Sequence, residues 1–196
     1  MKIAIIGAGF AGLTLANRLS KAHDVSVYEK ARGPGGRMST RRADPYAFDH
    51  GAQYFTVETD RFKRFLKPFR ESGLITSWPN DIERIGGARL SDKEKLVAAP
   101  GMNSLCKTLA EGVAIHTQTH IDHLERAGEA WVLVDKAGAH IGPFDWVISS
   151  APSVQTAALF PDEFSGQAAL EKTEMTGCFA LMLGFETPLD LPWVAL

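Results

Sequence analysis

An α/β fold with a parallel sheet is predicted by three features of the first thirty residues of this 196-residue chain. The first is a short apolar run, Ile3-Ala4-Ile5-Ile6, of the kind that makes a strand buried on both faces. The second is the glycine pattern Gly7-Ala8-Gly9-Phe10-Ala11-Gly12, which opens a helical stretch carrying Leu13, Leu15 and Leu19. The third is a second apolar run, Val25-Ser26-Val27-Tyr28, closed by Glu29. Strand, glycine turn, helix, strand and acid in this order are the mechanical parts of a dinucleotide site. Gly7 permits the tight turn, Gly9 lets a pyrophosphate reach the backbone, and Gly12 lets the helix lie close on the strand. The N–H groups and dipole at the helix start face the phosphates, and Glu29 accepts from ribose hydroxyls.

Composition narrows the classes. The apolar fraction is 45%, enough for a true core, and the net charge of −2 points to no polyanionic partner. Arg41-Arg42 is too small a cluster for a nucleic-acid surface. Cys106 and Cys178 form neither a disulfide framework nor a metal-ligand set, and read as small buried apolar residues. The apolar start is short and broken by glycine, so no membrane span is expected, and a cytoplasmic protein without metal is.

Along the chain, residues 11–22 should be helical, with Leu15, Leu19 and Ala22 on one face. Residues 31–42, with Gly33-Pro34-Gly35-Gly36-Arg37, should hold no regular element. Gly35-Gly36 would let backbone amides meet an anion, and Arg37 would present its guanidinium fork to a phosphate. Residues 46–55 read as a short strand and glycine turn, with Asp49, His50 and Gln53 among aromatics as either a site or a satisfied network. No partner nucleophile for His50 is visible, and no catalytic residue is assigned. A helix is expected over 58–72, stopped at Gly73. Short strands should follow at Leu74-Ile75, Arg84-Ile85 and Leu96–Ala99, then a helix opened by Pro100-Gly101-Met102-Asn103. Beyond it come strand Val113–Thr117, a hairpin of Thr119–Arg126 with Ala130–Asp135, and strand Phe144–Pro152. Two short helices, Val154–Phe160 and Phe164–Glu171, lead to a strong strand, Cys178–Glu186. The last residues, Leu191–Leu196, carry no stop signal and read as a chain cut within a domain.

Several of these stretches together resemble the flavin-containing amine oxidase superfamily, most closely its renalase-like branch. They are Gly7–Leu13, Tyr28-Glu29-Lys30, Arg32–Met38, Phe48-Asp49-His50-Gly51-Ala52-Gln53-Tyr54-Phe55, Pro100–Asn103 and Ser149–Pro152. The resemblance implies a Rossmann-like FAD-binding domain of the glutathione-reductase and hydroxybenzoate-hydroxylase kind, over residues 1–55 and 100–152. It implies a partial α+β substrate domain over residues 56–99 and 153–196, since chains of this branch run longer and return to the FAD domain at their end.

The same resemblance implies that FAD, rather than free NAD, occupies the glycine loop. Gly7, Gly9, Ala11 and Gly12 would hold its pyrophosphate, with Glu29 on the adenosine ribose and Lys30 beside it. Gly36, Arg37 and Met38 would line the pyrophosphate and ribityl side, Gln53 and Tyr54 would approach the flavin ring, and Ile121 would lie on the strand passing the adenine. The implied activity is oxidation of dihydronicotinamide nucleotide isomers to NAD(P)+, with molecular oxygen as acceptor and hydrogen peroxide as product. An amine substrate, and a non-catalytic dinucleotide-binding fragment, are the alternatives. An NAD-dependent dehydrogenase would leave Gly35–Met38 without a role.

Overall fold

The computed structural model describes residues 1–78 and 93–190, and it divides into two compact units. The first holds Met1–Arg37 and Cys106–Phe179, the second Met38–Leu105 and the chain from Ala180 on.

The first unit is built on a parallel sheet. Strand β1 (Lys2–Ile6) is followed by helix α1 (Phe10–Leu19) and strand β2 (Asp24–Tyr28). The chain later returns as β7 (Ala114–His116) and β11 (Trp146–Ser149), giving the strand order β11-β1-β2-β7. All three pairings are parallel. The order reverses at β1, so the carboxyl end of β1 is the topological switch point, where α/β sheets bind ligands. Pleat alternation sends Ile3 and Ile5 to one face, on which α1 packs, and Ala4 and Ile6 to the other. The second face is covered by an antiparallel meander of β8 (Ile121–Ala127), β9 (Ala130–Asp135) and β10 (His140–Phe144). Ala4, Ile6 and Tyr28 share a core there with Ile121, Leu124, Leu133 and Phe144. Leu159 of α4 (Ser153–Leu159) joins the same core, and α5 (Gln167–Glu171) follows.

The second unit contains a hairpin and a helix–hairpin pair. A 3-10 turn at Gly36–Met38 leads into β3 (Thr40–Ala43), paired antiparallel with β4 (Tyr46–Asp49). Helix α2 (Asp60–Glu71) is capped by the Thr59 hydroxyl, which accepts from the Phe62 N–H at 3.2 Å, and ends before Gly73 at φ +77°. Strands β5 (Ile75–Ser77) and β6 (Leu96–Ala98) then pair antiparallel, and α3 (Asn103–Ala110) follows, its residues from Cys106 on belonging to the first unit. Leu66, Ile75, Leu96, Ala98, Met102 and Leu105 are the buried apolar residues described in this unit.

Five expectations change. On α1 the buried residues are Gly12, Leu13 and Ala16, while Leu15 and Leu19 are half-buried and Ala22 is exposed. The small residues four apart select the face that lies against the sheet, because only there can the backbones come close. Residues 31–42 hold the 3-10 turn and the start of β3, since the Thr40–Ala43 backbone finds a ladder partner in β4 that glycine and proline content does not reveal. The expected hairpin is a three-stranded meander, because Gly142-Pro143 lies in an edge strand, where a missing N–H costs no ladder bond. The expected strand Phe144–Pro152 is shorter: β11 covers Trp146–Ser149, and Phe144 closes β10. Cys178–Glu186 is not a strand. Its apolar run is continuous, but it finds no ladder partner among the described residues, and Phe179, Leu181, Leu183 and Phe185 are exposed.

The compact units also cut the chain differently from the expected domains. Residues 38–55 and 100–105 belong to the second unit with 56–78 and 93–99, and residues 153–179 to the first. The expected strand at Arg84-Ile85 and the end at Leu191–Leu196 lie outside the described residues.

Candidate dinucleotide site

The candidate site of the first unit is the loop after β1. Gly7 turns the chain at φ +104°, and its N–H donates to the Tyr28 carbonyl at 2.8 Å. A methyl group on Gly12 would lie 2.2 Å from the Gly7 carbonyl oxygen and 2.6 Å from Ser150 Oγ. Gly12 is therefore glycine for helix–strand packing. Gly9 differs: a Cβ there would meet only Gly36 Cα, at 3.9 Å. The fold leaves that space open, as a site where a ligand meets backbone requires. Ala11 lies exposed in the first turn of α1, whose N–H groups lack intrahelical acceptors and form the positive end of the helix.

Glu29 is only 8% exposed. One carboxylate oxygen accepts from the Ala8 N–H and the other from the Ala31 N–H, each at 2.8 Å. The acid thus ties the end of β2 to the glycine loop. Lys30 is exposed and donates to Gln155 Oε1 at 3.1 Å. The segment before β8 crosses this end of the sheet: Gln118 N–H donates to the Ala31 carbonyl and Thr119 N–H to the Glu29 carbonyl, both at 3.0 Å. Gln118 holds φ +56°, an uncommon conformation for a residue with a side chain. Ile121 itself is 4% exposed, and its side chain belongs to the core beneath the meander.

A second glycine loop lies against the first. Gly35 forms a parallel bridge with Gly9, and its N–H donates to the Ala8 carbonyl at 2.9 Å. Gly36, at φ +53°, approaches so closely that a Cβ would sit 3.1 Å from Gly9 Cα. Arg37 follows, exposed, with its guanidinium bonded to no described residue. Cys106 supports this loop from α3: its thiol lies 3.7 Å from the Gly35 carbonyl. Burial pushes that thiol up to about 11, whereas Cys178 is exposed. We expect the folded protein to react with one equivalent of an aromatic disulfide reagent near neutral pH, at Cys178, and with a second only after denaturation. Release of two equivalents of thiolate from the native protein would contradict the buried position of Cys106.

In the second unit, Met38 is half-buried at the end of the 3-10 turn, and Gln53 and Tyr54 are exposed after β4. Tyr54 lies 5.5 Å from Trp78, ring to ring. Asp49 proves to be a satisfied structural group: it accepts from Thr40 Oγ1 and from the Met102 N–H, the latter at 3.0 Å, and so ties the hairpin to the start of α3. His50 is exposed with Nε2 3.2 Å from Ser39 Oγ. Among the described residues no carboxylate orients its other nitrogen, so the arrangement lacks the third member of a nucleophile–base–acid set. Sequence reasoning missed Ser150. Its place after a strand and before Ala151-Pro152 was the available signal, and its contact with the glycine loop was not.

Comparison with known proteins agrees with this geometry. Residues 5–69 match the model of the NAD(P)-binding Rossmann-like domain. The chain is similar to 4,4'-diapophytoene desaturase (4,4'-diaponeurosporene-forming) of Staphylococcus haemolyticus strain JCSC1435, 36% identical over 113 residues, covering 56% of this chain and 22% of that protein. The same-named enzyme of Staphylococcus aureus strain Newman is 48% identical over 52 residues, covering 26% of this chain and 10% of that protein. The chain thus spans less than a quarter of the length of these curated relatives. Among solved structures, a candidate protoporphyrinogen oxidase from Exiguobacterium sp. 255-15 superposes with a TM-score of 0.65 at 12% identity, covering 87% of this chain and 63% of that one, which shows the shared fold. Residues 5–69 thus match a dinucleotide-binding domain, and the chain has the Rossmann-like fold that the solved structure shares.

Proposed function

We propose that the glycine loops hold FAD and that the protein is a flavin-dependent oxidoreductase of renalase type. The observation that carries this reading is the second loop: Gly35 and Gly36 abut Gly9, and Arg37 follows them exposed. A nicotinamide-only site gives that loop no task. The residues fit the cofactor, since Gly9 leaves bare backbone for a pyrophosphate, Glu29 stands at the end of β2 for the ribose, and Arg37 is available to the phosphates. When bound, FAD would supply hydride acceptance from a dihydronicotinamide nucleotide isomer and return of two electrons to oxygen, so that substrate, one proton and O2 give NAD(P)+ and hydrogen peroxide. The protein's share is to bind, orient and shield.

The test is optical. Purified protein given FAD should turn yellow, bleach with dihydronicotinamide isomers and recover in air, with amines inert. Bleaching by amines would instead support an amine oxidase. The desaturase likeness supports a second reading, a flavin enzyme acting on a polyene, and anaerobic bleaching by a polyene precursor alone would favour it. Failure to take up FAD would overturn the flavin assignment. Arg37→Ala should weaken FAD binding by about 1.5–3 kcal/mol, the range for a hydrogen bond to a charged group, measured by fluorescence titration.

A further inference from the structure

The glycine loop is polarised, and one side chain outside the glycine pattern completes that polarity. Its carbonyls are engaged by donors within the protein. The Ile6 carbonyl accepts from the Ser150 N–H at 2.9 Å, the Ala8 carbonyl from Gly35 at 2.9 Å, and the Gly9 carbonyl from Leu13 at 3.0 Å. Among the described residues the Gly7 carbonyl has no backbone donor; the Ser150 hydroxyl reaches it at 3.0 Å. The same hydroxyl lies 3.2 Å from the Ile6 carbonyl, which already has a donor, so its single proton is best used on Gly7. The donors divide the other way. Gly7 and Ala8 N–H groups are consumed by the Tyr28 carbonyl and the Glu29 carboxylate, while those of Gly9, Ala11 and Gly12 donate to no described group. A carbonyl left to swing toward the pyrophosphate would place a partial negative charge against an anion.

We infer that Ser150 is a positioning residue for pyrophosphate binding: its hydroxyl holds the Gly7 carbonyl inward, so that the loop offers an anion only N–H donors. The space argument is independent of the hydrogen bond. Ser150 Oγ occupies the volume that side chains at Gly7 and Gly12 would fill, 2.8 Å and 2.6 Å from their Cβ positions. The small residues of the loop and the serine are therefore a matched set. The inference rests on the dinucleotide reading of the loop, not on the flavin.

The test compares wild type, Ser150→Ala and Ser150→Thr with FAD, ADP and adenosine by calorimetric titration, and records each melting temperature. Ser150→Ala should bind ADP about tenfold more weakly, the upper range for one hydrogen bond, and adenosine unchanged. Ser150→Thr, which keeps the hydroxyl, should restore ADP binding. Equal ADP affinity in Ser150→Ala and wild type would overturn the inference. So would a parallel loss of adenosine and ADP, since that reports general damage to the site. A wild type that binds ADP but not FAD would refute the flavin proposal and leave the serine result standing. A wild type that binds neither would refute both.

Discussion

Gly12→Ala should destabilise the protein strongly, although local propensity alone gives the opposite sign. In a helix, replacing glycine by alanine is worth about 0.8–1 kcal/mol in favour of the folded state. Here the added methyl would stand 2.2 Å from the Gly7 carbonyl oxygen, a distance that real Cβ contacts do not reach. The obstacle is backbone, not the tip of a flexible side chain, so relief requires α1 to lift from β1. Overpacking of this kind costs about 1–3 kcal/mol and more where the surroundings cannot yield. Ser150 Oγ closes the other direction at 2.6 Å. We expect a net loss of about 3 kcal/mol, read as a drop of roughly 6–12 °C in melting temperature for a chain of this size. A melting temperature equal to or above that of wild type would show that the helix can move away at no cost, and the packing role of Gly12 would be withdrawn.

The legible part of this molecule was the part in which one residue type has one physical reason. Buried parallel strands write continuous apolar runs, and a loop bounded by glycines writes its own turn. Those signals placed β1, α1, β2 and the glycine loop. On α1 the close contact expected of Gly12 is present, while Leu13 rather than Leu15 or Leu19 is the buried leucine, because the small residues Gly12 and Ala16 decide which face meets the sheet. The stretch Cys178–Glu186 was misread for a different reason. An apolar run states what side chains could bury, but a strand also needs a neighbouring backbone, and none among the described residues pairs with it.

Polar residues were the least legible, because their partners are remote in sequence. Asp49 reads equally as part of a site or of a satisfied network, and only its bond to Met102, at 3.0 Å, decides the matter. Glu29 was expected for its ribose role, yet its two bonds to Ala8 and Ala31 give it a second task, holding the loops in place before any ligand arrives. Preorganisation of this kind reduces the ordering that binding must otherwise impose. The carbonyl of Gly7 and the hydroxyl of Ser150 lie far apart in the chain, and no pattern in either neighbourhood announces that they meet.

Gly9→Val separates folding from binding in a way Gly12→Ala cannot. Gly9 has φ −79° and ψ 176°, extended backbone open to any residue, and its Cβ direction is clear except for Gly36 Cα at 3.9 Å. The variant should therefore fold, with a melting temperature close to that of wild type. Its isopropyl group would fill the space in which a pyrophosphate approaches the N–H groups of the loop, replacing hydrogen-bonded anion contact with buried apolar bulk. Loss of two charge-assisted hydrogen bonds, each worth about 1.5–3 kcal/mol, predicts at least a hundredfold fall in dinucleotide affinity. The measurement is the FAD and ADP dissociation constant beside the melting curve. Stoichiometric FAD retained by Gly9→Val would mean that the phosphates bind elsewhere. The bare backbone at position 9 would then owe its existence to the Gly35–Gly36 loop it touches rather than to a ligand.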